Sequence, residues 1–317
     1  MVTLDPTCRG LLFIGDPHLC SRPVEYRKDD YARAILEKLG WLFDHARRER
    51  LQPVILGDLF HYPRDNANWL LVELIRLVGD GVVGAPVATV CGNHDSKENS
   101  LGDGDTLSLL VEAGCFALLE QSGPWQLTIQ GRPVVLGGTA WSDRLPAHFD
   151  RPGGACVLWV AHHNVGFPDY DAKRFDCHEI PGIDLVVNGH IHRRLDEVVV
   201  GQTTWTNPGS IARISRSEST RAHRPAALRV DVGAQGWIAR LVEIPCEPYE
   251  AVFHELGLGD TGAQGPSQFI QGLKALESVR TASGAGLRDF LENNLGQFEP
   301  RVREAIRMLA QEVLGNE

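Results

Sequence analysis

Residues 92 to 95 read Gly92-Asn93-His94-Asp95, and they follow the apolar run Val87-Ala88-Thr89-Val90. The run predicts a short buried strand, and the Gly-Asn pair directly after it predicts a sharp turn. Such a turn lifts an amide oxygen, an imidazole and a carboxylate together onto the end of a strand. Because ligands in open α/β sheets bind at the carboxyl ends of strands, the stretch predicts a functional site. Taken alone, it is equally compatible with a plain turn.

Four further apolar runs predict buried strands that also end in polar side chains. These runs cover residues 10–14, 53–56, 155–161 and 184–187. The polar side chains that follow them are Asp16, His18, Asp58, His162, His190 and His192. Seven of the 12 histidines lie in or beside the five turns, which chance clustering does not explain. The strand ends are therefore predicted to converge on one site.

The order of the predicted elements indicates an α/β fold. Apolar residues at the helical period predict helices over residues 29–50 and 66–79, and Asp29 or Asp30 can cap the first of them. This strand-helix-strand-helix rhythm implies parallel pairing in the first half. A short helix is expected near 105–113. Later strands follow one another and predict a mixed second sheet. They are expected at 127–129, 134–136, 197–200, 203–206, 226–232 and 237–244.

The composition changes after residue 245, which divides the chain. Residues 1–246 are predicted to form the catalytic domain, and residues 247–317 a Gly-rich linker with a small helical C-terminal extension. The linker falls at 257–266, and three short amphipathic helices are expected within 267–317. Their apolar faces must be covered, either by the catalytic domain or by a partner protein.

Charge and cysteine content limit the classes of function. The chain has 317 residues and a net charge of −10, which argues against a broad basic face for nucleic acid but allows a local basic cleft or bound cations. Its seven cysteines are scattered and form no Cys-x-x-Cys pair, which favours a reducing, cytoplasmic environment. The sequence contains no apolar run long enough to span a membrane and no signal-peptide pattern at residues 1–6.

The side chains at the strand ends suit a pair of metal ions. Oxygen and imidazole donors without thiolate fit Mn²⁺, the expected metal, or Fe or Zn²⁺. Counting Asn93, the seven ligands are too many for one ion and fit two ions about 3.5–4 Å apart. Asp58 is the expected bridge because its turn supplies a single ligand. Two such ions would turn a shared water into a hydroxide nucleophile and neutralise charge on a phosphoryl group.

The remaining polar residues of these turns have candidate catalytic roles. His94 follows Asn93 directly and should point elsewhere, so it is predicted to act as a general acid that protonates a leaving oxygen. Asp95 could orient His94, although a turn-capping role is equally compatible with its position. His61 lies three residues after Asp58 and is predicted to assist catalysis; its alternative is an ordinary loop histidine.

The order Asp-x-His, Gly-Asp, Gly-Asn-His-Asp, His, Gly-His-x-His over residues 10–245 resembles the calcineurin-like metallophosphoesterase superfamily. The resemblance implies a four-layer αββα sandwich. It also implies that His94 contacts the substrate phosphate and that the two metals share Asp58. The ligands implied for one metal are Asp16, His18, Asp58 and His192. The ligands implied for the other are Asp58, Asn93, His162 and His190.

A finer resemblance is to the SbcD-like nuclease subunits of DNA-repair complexes. The stretch Gly57-Asp58-Leu59-Phe60-His61 is similar to the extended second motif of that group, which includes a histidine that assists nuclease activity. The turn at residues 207–210, Asn-Pro-Gly-Ser, followed by Arg213, is also similar, although small phosphodiesterases share it. This resemblance implies DNA as the substrate and a coiled-coil ATPase that docks on the C-terminal helices.

The polar loop 213–224 is the expected contact with DNA outside the metals. Its arginines are Arg213, Arg216, Arg221 and Arg224, against the single acid Glu218. Arginine suits phosphate through its planar fork, so these four residues are predicted to bind the DNA backbone; a solvated loop is the alternative. The sequence thus predicts a two-metal phosphodiesterase, preferably a DNA nuclease. Its rivals are a phosphatase or phosphodiesterase for a small nucleotide, and a metal-free scaffold, which the intact ligand set disfavours.

Overall fold

The structure is a computed structural model that describes residues 4–254 except 25, 80, 82, 99 and 171–174. The linker expected at 257–266 and the three helices expected within 267–317 lie outside the described residues. In chain order the strands are β1 (Gly10–Ile14), β2 (Leu51–Ile55), β3 (Val87–Thr89), β4 (Phe116–Leu118), β5 (Trp125–Ile129), β6 (Arg132–Thr139), β7 (Cys156–Ala161), β8 (Val165–Gly166), β9 (Phe175–Asp176), β10 (Leu185–Asn188), β11 (Leu195–Val200), β12 (Thr203–Asn207), β13 (Ala226–Gly233) and β14 (Gly236–Glu243). The helices are α1 (Tyr31–Glu49), α2 (Asn68–Val78), α3 (Thr106–Glu112), α4 (Leu119–Ser122), α5 (Glu218–Ala222) and α6 (Tyr249–Val252).

The first sheet has the strand order β14-β13-β1-β2-β3-β4. Strands β1 to β4 run parallel, as the alternation of strands and helices predicts. Strand β13 returns antiparallel beside β1, and β14 forms a hairpin with β13 at the sheet edge. The parallel pairing expected for the first half of the chain is confirmed. The short strand β4 has no counterpart in the sequence prediction.

The second sheet has the order β11-β12-β10-β7-β6-β5 and is mixed, as predicted. Its central strands β6, β7, β10 and β12 are parallel. The two outer strands, β5 and β11, each pair antiparallel with their neighbour. The very short strands β8 and β9 form a separate pair that the sequence does not signal.

The two sheets pack face to face, and residues from both of them form one core. The central strands are therefore buried on both sides. Along β1, Leu11 and Phe13 enter the core between the sheets, whereas Leu12 and Ile14 enter the core beneath α1 and α2. Helix α1 begins where the Asp30 side chain accepts a hydrogen bond from the Arg33 amide at 3.1 Å, so Asp30 is the cap. The α/β fold class is confirmed.

The outer face of the second sheet is covered differently. Its core includes Trp159 and Trp205, and the residues that pack on them come from irregular segments and from β8 and β9. Among residues 4–254 outside the gaps, no α-helix contributes a residue to this outer core. The described chain therefore has helices over the first sheet and loops with short strands over the second. No helix within these residues is long and apolar enough to cross a membrane.

Candidate metal centre

The predicted ligands lie in loops that leave the carboxyl ends of parallel strands in both sheets. Several of these loops require an unusual backbone. Asp16, His18, Asp58 and His190 have φ values of 39°, 46°, 49° and 68°, which is the left-handed region. That region costs L-residues roughly 1–2 kcal/mol each, and such conformations concentrate at functional sites. The fold therefore holds these four residues in positions that local preference alone would not select.

The first group of candidate ligands comprises Asp16, His18, Asp58 and His192. Each of them offers one ligand atom, and these atoms all lie within 4.8 Å of one another. His18 Nε2 lies 2.9 Å from His192 Nε2 and 3.5 Å from Asp58 Oδ2. The structure thus brings together the four residues that the resemblance implies around one metal.

The second group shares Asp58 with the first and adds His162 and His190. His162 Nε2 lies 3.3 Å from Asp58 Oδ2. The Asn93 amide oxygen lies 3.2 Å from His162 Nε2 and 3.0 Å from His190 Nδ1, so Asn93 belongs to this group as well. Asp58 stands between the two groups, where a bridging ligand would have to be.

The donor atoms in these groups fit divalent metal ions. His162 Nδ1 donates to the Leu56 carbonyl at 2.6 Å, so Nε2 is the nitrogen that faces Asp58 and that would bind a metal when deprotonated. Asp16 Oδ2 is buried and has no hydrogen-bond partner among the described residues, although a buried carboxylate oxygen normally has one. A cation between the groups would satisfy this oxygen and the imidazole lone pairs together.

The protonation states of the buried groups indicate the same need for positive charge. Burial raises the pKa of Asp16 to about 7. Burial would also raise the pKa of Asp58, but His162 and His94 hold it well below its usual range. Burial would lower the pKa of His162, yet the Asp58 carboxylate raises it to about 9. A proton on His162 therefore balances Asp58 where a divalent cation would otherwise do so.

His94 and His61 lie together against the first group. The His94 amide donates to Asp58 Oδ1 at 2.8 Å, and His94 Nδ1 lies 2.9 Å from the His61 carbonyl oxygen. The two imidazoles stack with centroids 5.2 Å apart, and His94 meets His18 edge-on at 4.8 Å. His61 Nδ1 lies 3.4 Å from His18 Nδ1. Both predicted catalytic histidines are thus beside the candidate ligands.

Asp95 occupies a different position from the one its catalytic role would need. Its two carboxylate oxygens accept hydrogen bonds from the amides of Phe60 and Gly92, both at 3.0 Å. Since His94 Nδ1 contacts a carbonyl of His61, Asp95 does not orient that imidazole through this nitrogen. The geometry favours the turn-capping alternative, in which the carboxylate links the second turn to the third, and the catalytic role of Asp95 stays a prediction.

Arg213 is a buried residue of the loop. It is 3% exposed, and its guanidinium donates to the carbonyls of Glu247 at 2.9 Å and His223 at 3.0 Å. This placement gives no support to a direct contact between Arg213 and DNA phosphate, and that role stays a prediction. Both acceptors are main-chain oxygens at least ten residues from Arg213 in the sequence, so a local sequence pattern could not predict these hydrogen bonds.

Two other arginines of the loop also contact the protein itself, and helix α5 interrupts the loop. Arg216 lies over the Tyr26 ring at 4.1 Å, and Arg221 lies over the Tyr249 ring at 4.9 Å and 3.4 Å from Glu250. Arg224 is exposed. These contacts orient Arg216 and Arg221 without testing whether they bind phosphate, so that role stays a prediction. Ser215, Ser219 and Thr220 of the loop line a small cleft together with His192.

Trp141 is a residue of the site that the sequence reading did not identify. It follows the end of β6, and its ring lies 4.4 Å from the His190 ring and 6.3 Å from the His162 ring. Trp141 therefore covers the second ligand group. Trp141 could have been identified from its position, because β6 is parallel to β7 and its carboxyl end lies at the same edge of the sheet as the candidate metal ligands.

The Asn-Pro-Gly-Ser turn at 207–210 supports the ligand loops from behind. Asn207 donates to the carbonyls of Ile191 at 2.8 Å and Arg193 at 2.9 Å, on either side of His192. The Ser210 hydroxyl donates to the Asp16 carbonyl at 2.8 Å. The turn thus links the first ligand loop to the last one.

One of the comparisons with known proteins identifies the family of this chain. No curated protein matches the chain. A solved structure described as a hypothetical protein from Thermus thermophilus is similar over 74% of this chain and 99% of its own, with 13% identity and a TM-score of 0.41. The profile of the calcineurin-like phosphoesterase family matches residues 10–194, which is more than half of the chain. The protein therefore belongs to the calcineurin-like phosphoesterases and is a metal-dependent phosphoesterase hydrolase.

Proposed function

We propose that this phosphoesterase is a two-metal phosphodiesterase that cleaves DNA, similar to the SbcD-like nucleases. The observation that carries the proposal is the placement of His61. Its ring stacks on the His94 ring with centroids 5.2 Å apart, and its Nδ1 lies 3.4 Å from His18 Nδ1. His61, which closely follows Asp58 in the sequence, therefore lies beside the candidate metal centre. Such a residue can contact a long phosphodiester without being needed to hold the metals.

Seven residues are proposed as metal ligands, and Mn²⁺ is the proposed metal. Asp58 would contribute to both ions. The ligands of the first ion would be completed by Asp16, His18 and His192, and those of the second by Asn93, His162 and His190. When bound, the two ions would supply Lewis acidity toward the phosphoryl group and acidify a water between them. Hydrogen bonds to the Asp16 and Asp58 carboxylates and from the His162 imidazole fix the orientation of these candidate ligands.

His94 is proposed as the general acid. Its amide is held by Asp58 Oδ1, and its Nδ1–H donates to the His61 carbonyl at 2.9 Å, which fixes the ring orientation. In the protonated ring, Nε2–H is then the proton to give to a leaving oxygen. An imidazole suits this task near neutral pH. The residue is partly exposed, so a substrate can reach it.

Aromatic side chains paired with arginine support DNA as the substrate. The Tyr62 ring is edge-on to His61 at 4.7 Å, and the Arg22 guanidinium lies 4.7 Å above Tyr62. Arg33 lies 5.0 Å above Trp69 in the same way. Tyr62 and Trp69 are 37% and 41% exposed, so solvent reaches both rings. Exposed rings with adjacent cations suit unpaired bases and their phosphates.

The proposal includes a cytoplasmic location and a coiled-coil ATPase partner for residues 267–317. The seven cysteines form no disulfide, and five of them are buried, which suits a reducing compartment. The partner rests on the family resemblance and on the amphipathic pattern of those residues.

The test uses the full chain loaded with Mn²⁺ on linear duplex DNA, single-stranded DNA and bis-nitrophenyl phosphate. We expect cleavage of DNA that a chelator abolishes. His148→Ala is the matched control for the histidine variants His61→Ala and His94→Ala. The His148 side chain is 69% exposed, so its removal should leave activity as in wild type. Turnover of bis-nitrophenyl phosphate without any DNA cleavage would overturn the proposal in favour of a small-nucleotide phosphodiesterase.

A further inference from the structure

A cavity of about 410 Å³ lies outside the metal centre, between α1 and residues 245–252. None of the candidate metal ligands lines it. The charged residues around it are Arg27, Asp29, Glu37, Lys38, Arg213 and Glu247. Its volume lies within the range of small-molecule sites, which is roughly 300–1,000 Å³.

The buried charges of this cavity are mainly positive. Arg213 is 3% exposed, Lys38 is 8% exposed, and the Arg27 side chain is 4% exposed. Asp29, one of the acids that line the cavity, accepts two hydrogen bonds from Arg27 at 2.8 and 2.6 Å. Glu37 and Glu247 are exposed, so water screens their charge. Lys38 and Arg213 are therefore buried cations without a buried carboxylate of their own among the described residues.

The hydrogen bonds of these two cations do not neutralise them. Lys38 Nζ donates to the Ile211 carbonyl at 2.7 Å, which uses one of its three donors. Arg213 donates to two main-chain carbonyls. Burial lowers the pKa of Lys38 to about 8, as expected for an ammonium without an anionic partner. An anion in the cavity would offset the cost of burying this charge.

We propose that this cavity binds a phosphate group, at a site separate from the metal centre. The phosphate would accept hydrogen bonds from the Lys38 ammonium. The guanidinium groups of Arg27 and Arg213 keep their present acceptors and would add positive charge without contacting the phosphate. The site lies beside the turn that supports the metal ligands, because Lys38 holds the Ile211 carbonyl and the Ile211 amide donates to the Gly15 carbonyl at 2.9 Å. The phosphate can come from a free ion, from a nucleotide or from the backbone of a nucleic acid.

The test is trace acetylation of the full, metal-loaded chain near the pKa of Lys38, read peptide by peptide by mass spectrometry. The exposed Lys97 is the internal reference. Bound phosphate raises the pKa of Lys38 and covers its amine, so Lys38 labelling should fall about fivefold or more while Lys97 labelling stays constant. Because the readout is specific to Lys38, phosphate bound at the metals does not affect it, and the result does not depend on DNA cleavage.

Separate arms with inorganic phosphate, adenosine monophosphate and a single-stranded oligonucleotide identify the source of the phosphate. Protection by either small ligand indicates a small-molecule site, and protection by the oligonucleotide alone indicates a contact to the nucleic-acid backbone. Lys38 labelling that is unchanged in all three arms overturns the proposal.

A matched pair of variants gives a second measurement. Calorimetry with inorganic phosphate should show one class of sites fewer in Lys38→Met than in wild type, and no loss in Lys28→Met, since Lys28 is an exposed lysine that contacts the Glu250 carbonyl. Equal phosphate stoichiometry in a folded Lys38→Met overturns the proposal. If that variant does not fold, labelling of the wild type decides.

Discussion

The two ligand groups that share Asp58 differ in their surroundings. The second group is enclosed, because His162 is fully buried, its Nδ1 is fixed by the Leu56 carbonyl and Trp141 covers His190. The first group is more open: His192 is exposed, and the partly exposed His61 and His94 lie against His18. We therefore predict that the enclosed group would hold a metal more rigidly and that the open group would face the substrate. Different substitutions should therefore separate metal binding from catalysis.

The largest effect is expected where the groups meet. Asp58→Ala should lose both metals and all measurable activity, because Asp58 contacts both groups and also accepts the His94 amide. Metal content by mass spectrometry and phosphodiesterase turnover are the measurements. Asp58→Asn, which keeps an acceptor for that amide, controls for misfolding. A folded variant that retains one full equivalent of metal would show that the groups are independent of each other.

The next largest effect is expected on the open side. His94→Ala should keep both metals but lower turnover of DNA by about 10²–10⁴-fold, the usual contribution of general acid catalysis. Bis-nitrophenyl phosphate, whose leaving group needs less protonation, should lose much less. Equal losses on both substrates would mean that His94 positions the phosphate and does not protonate the leaving oxygen.

His61→Ala should give a smaller loss on the same side. We expect DNA cleavage to fall about 10–100-fold with both metals retained, as for other residues that support metal ligands from outside. The paired measurement is metal content beside cleavage of DNA and of bis-nitrophenyl phosphate. Unchanged DNA cleavage would remove the observation on which the nuclease proposal rests.

The smallest effect is expected on the enclosed side. Trp141→Leu removes the ring beside His190 and should weaken the affinity of the second metal about threefold, which is the lower range for an aromatic pair. Metal titration followed by calorimetry measures the two sites separately. If the affinity of the first group for its metal falls by the same factor, the two groups are supported as one unit, and the proposed difference between an enclosed and an open group is wrong.

The strand-end residues show how far sequence pattern reaches. Asp16, His18, Asp58, Asn93, His162, His190 and His192 could be collected from sequence because each follows an apolar run, and parallel strands place their carboxyl ends on one edge. Trp141 was missed, since a single tryptophan after a hairpin strand has no metal-ligand character. Asp95 stayed ambiguous, because its two partners, Phe60 and Gly92, are reached only when two turns meet.

The sequence by itself determined the α/β class, the parallel first sheet and the set of candidate ligands, since these depend on local periodicity and on residue type at strand ends. Only the tertiary structure decided what the loop arginines contact. Arg213 is buried against Glu247 and His223, and Arg216 lies over Tyr26, which is distant in the chain. A cluster of arginines in the sequence indicates that a loop could bind phosphate. The contacts of each guanidinium depend on residues distant in the chain, which only the packed structure brings together.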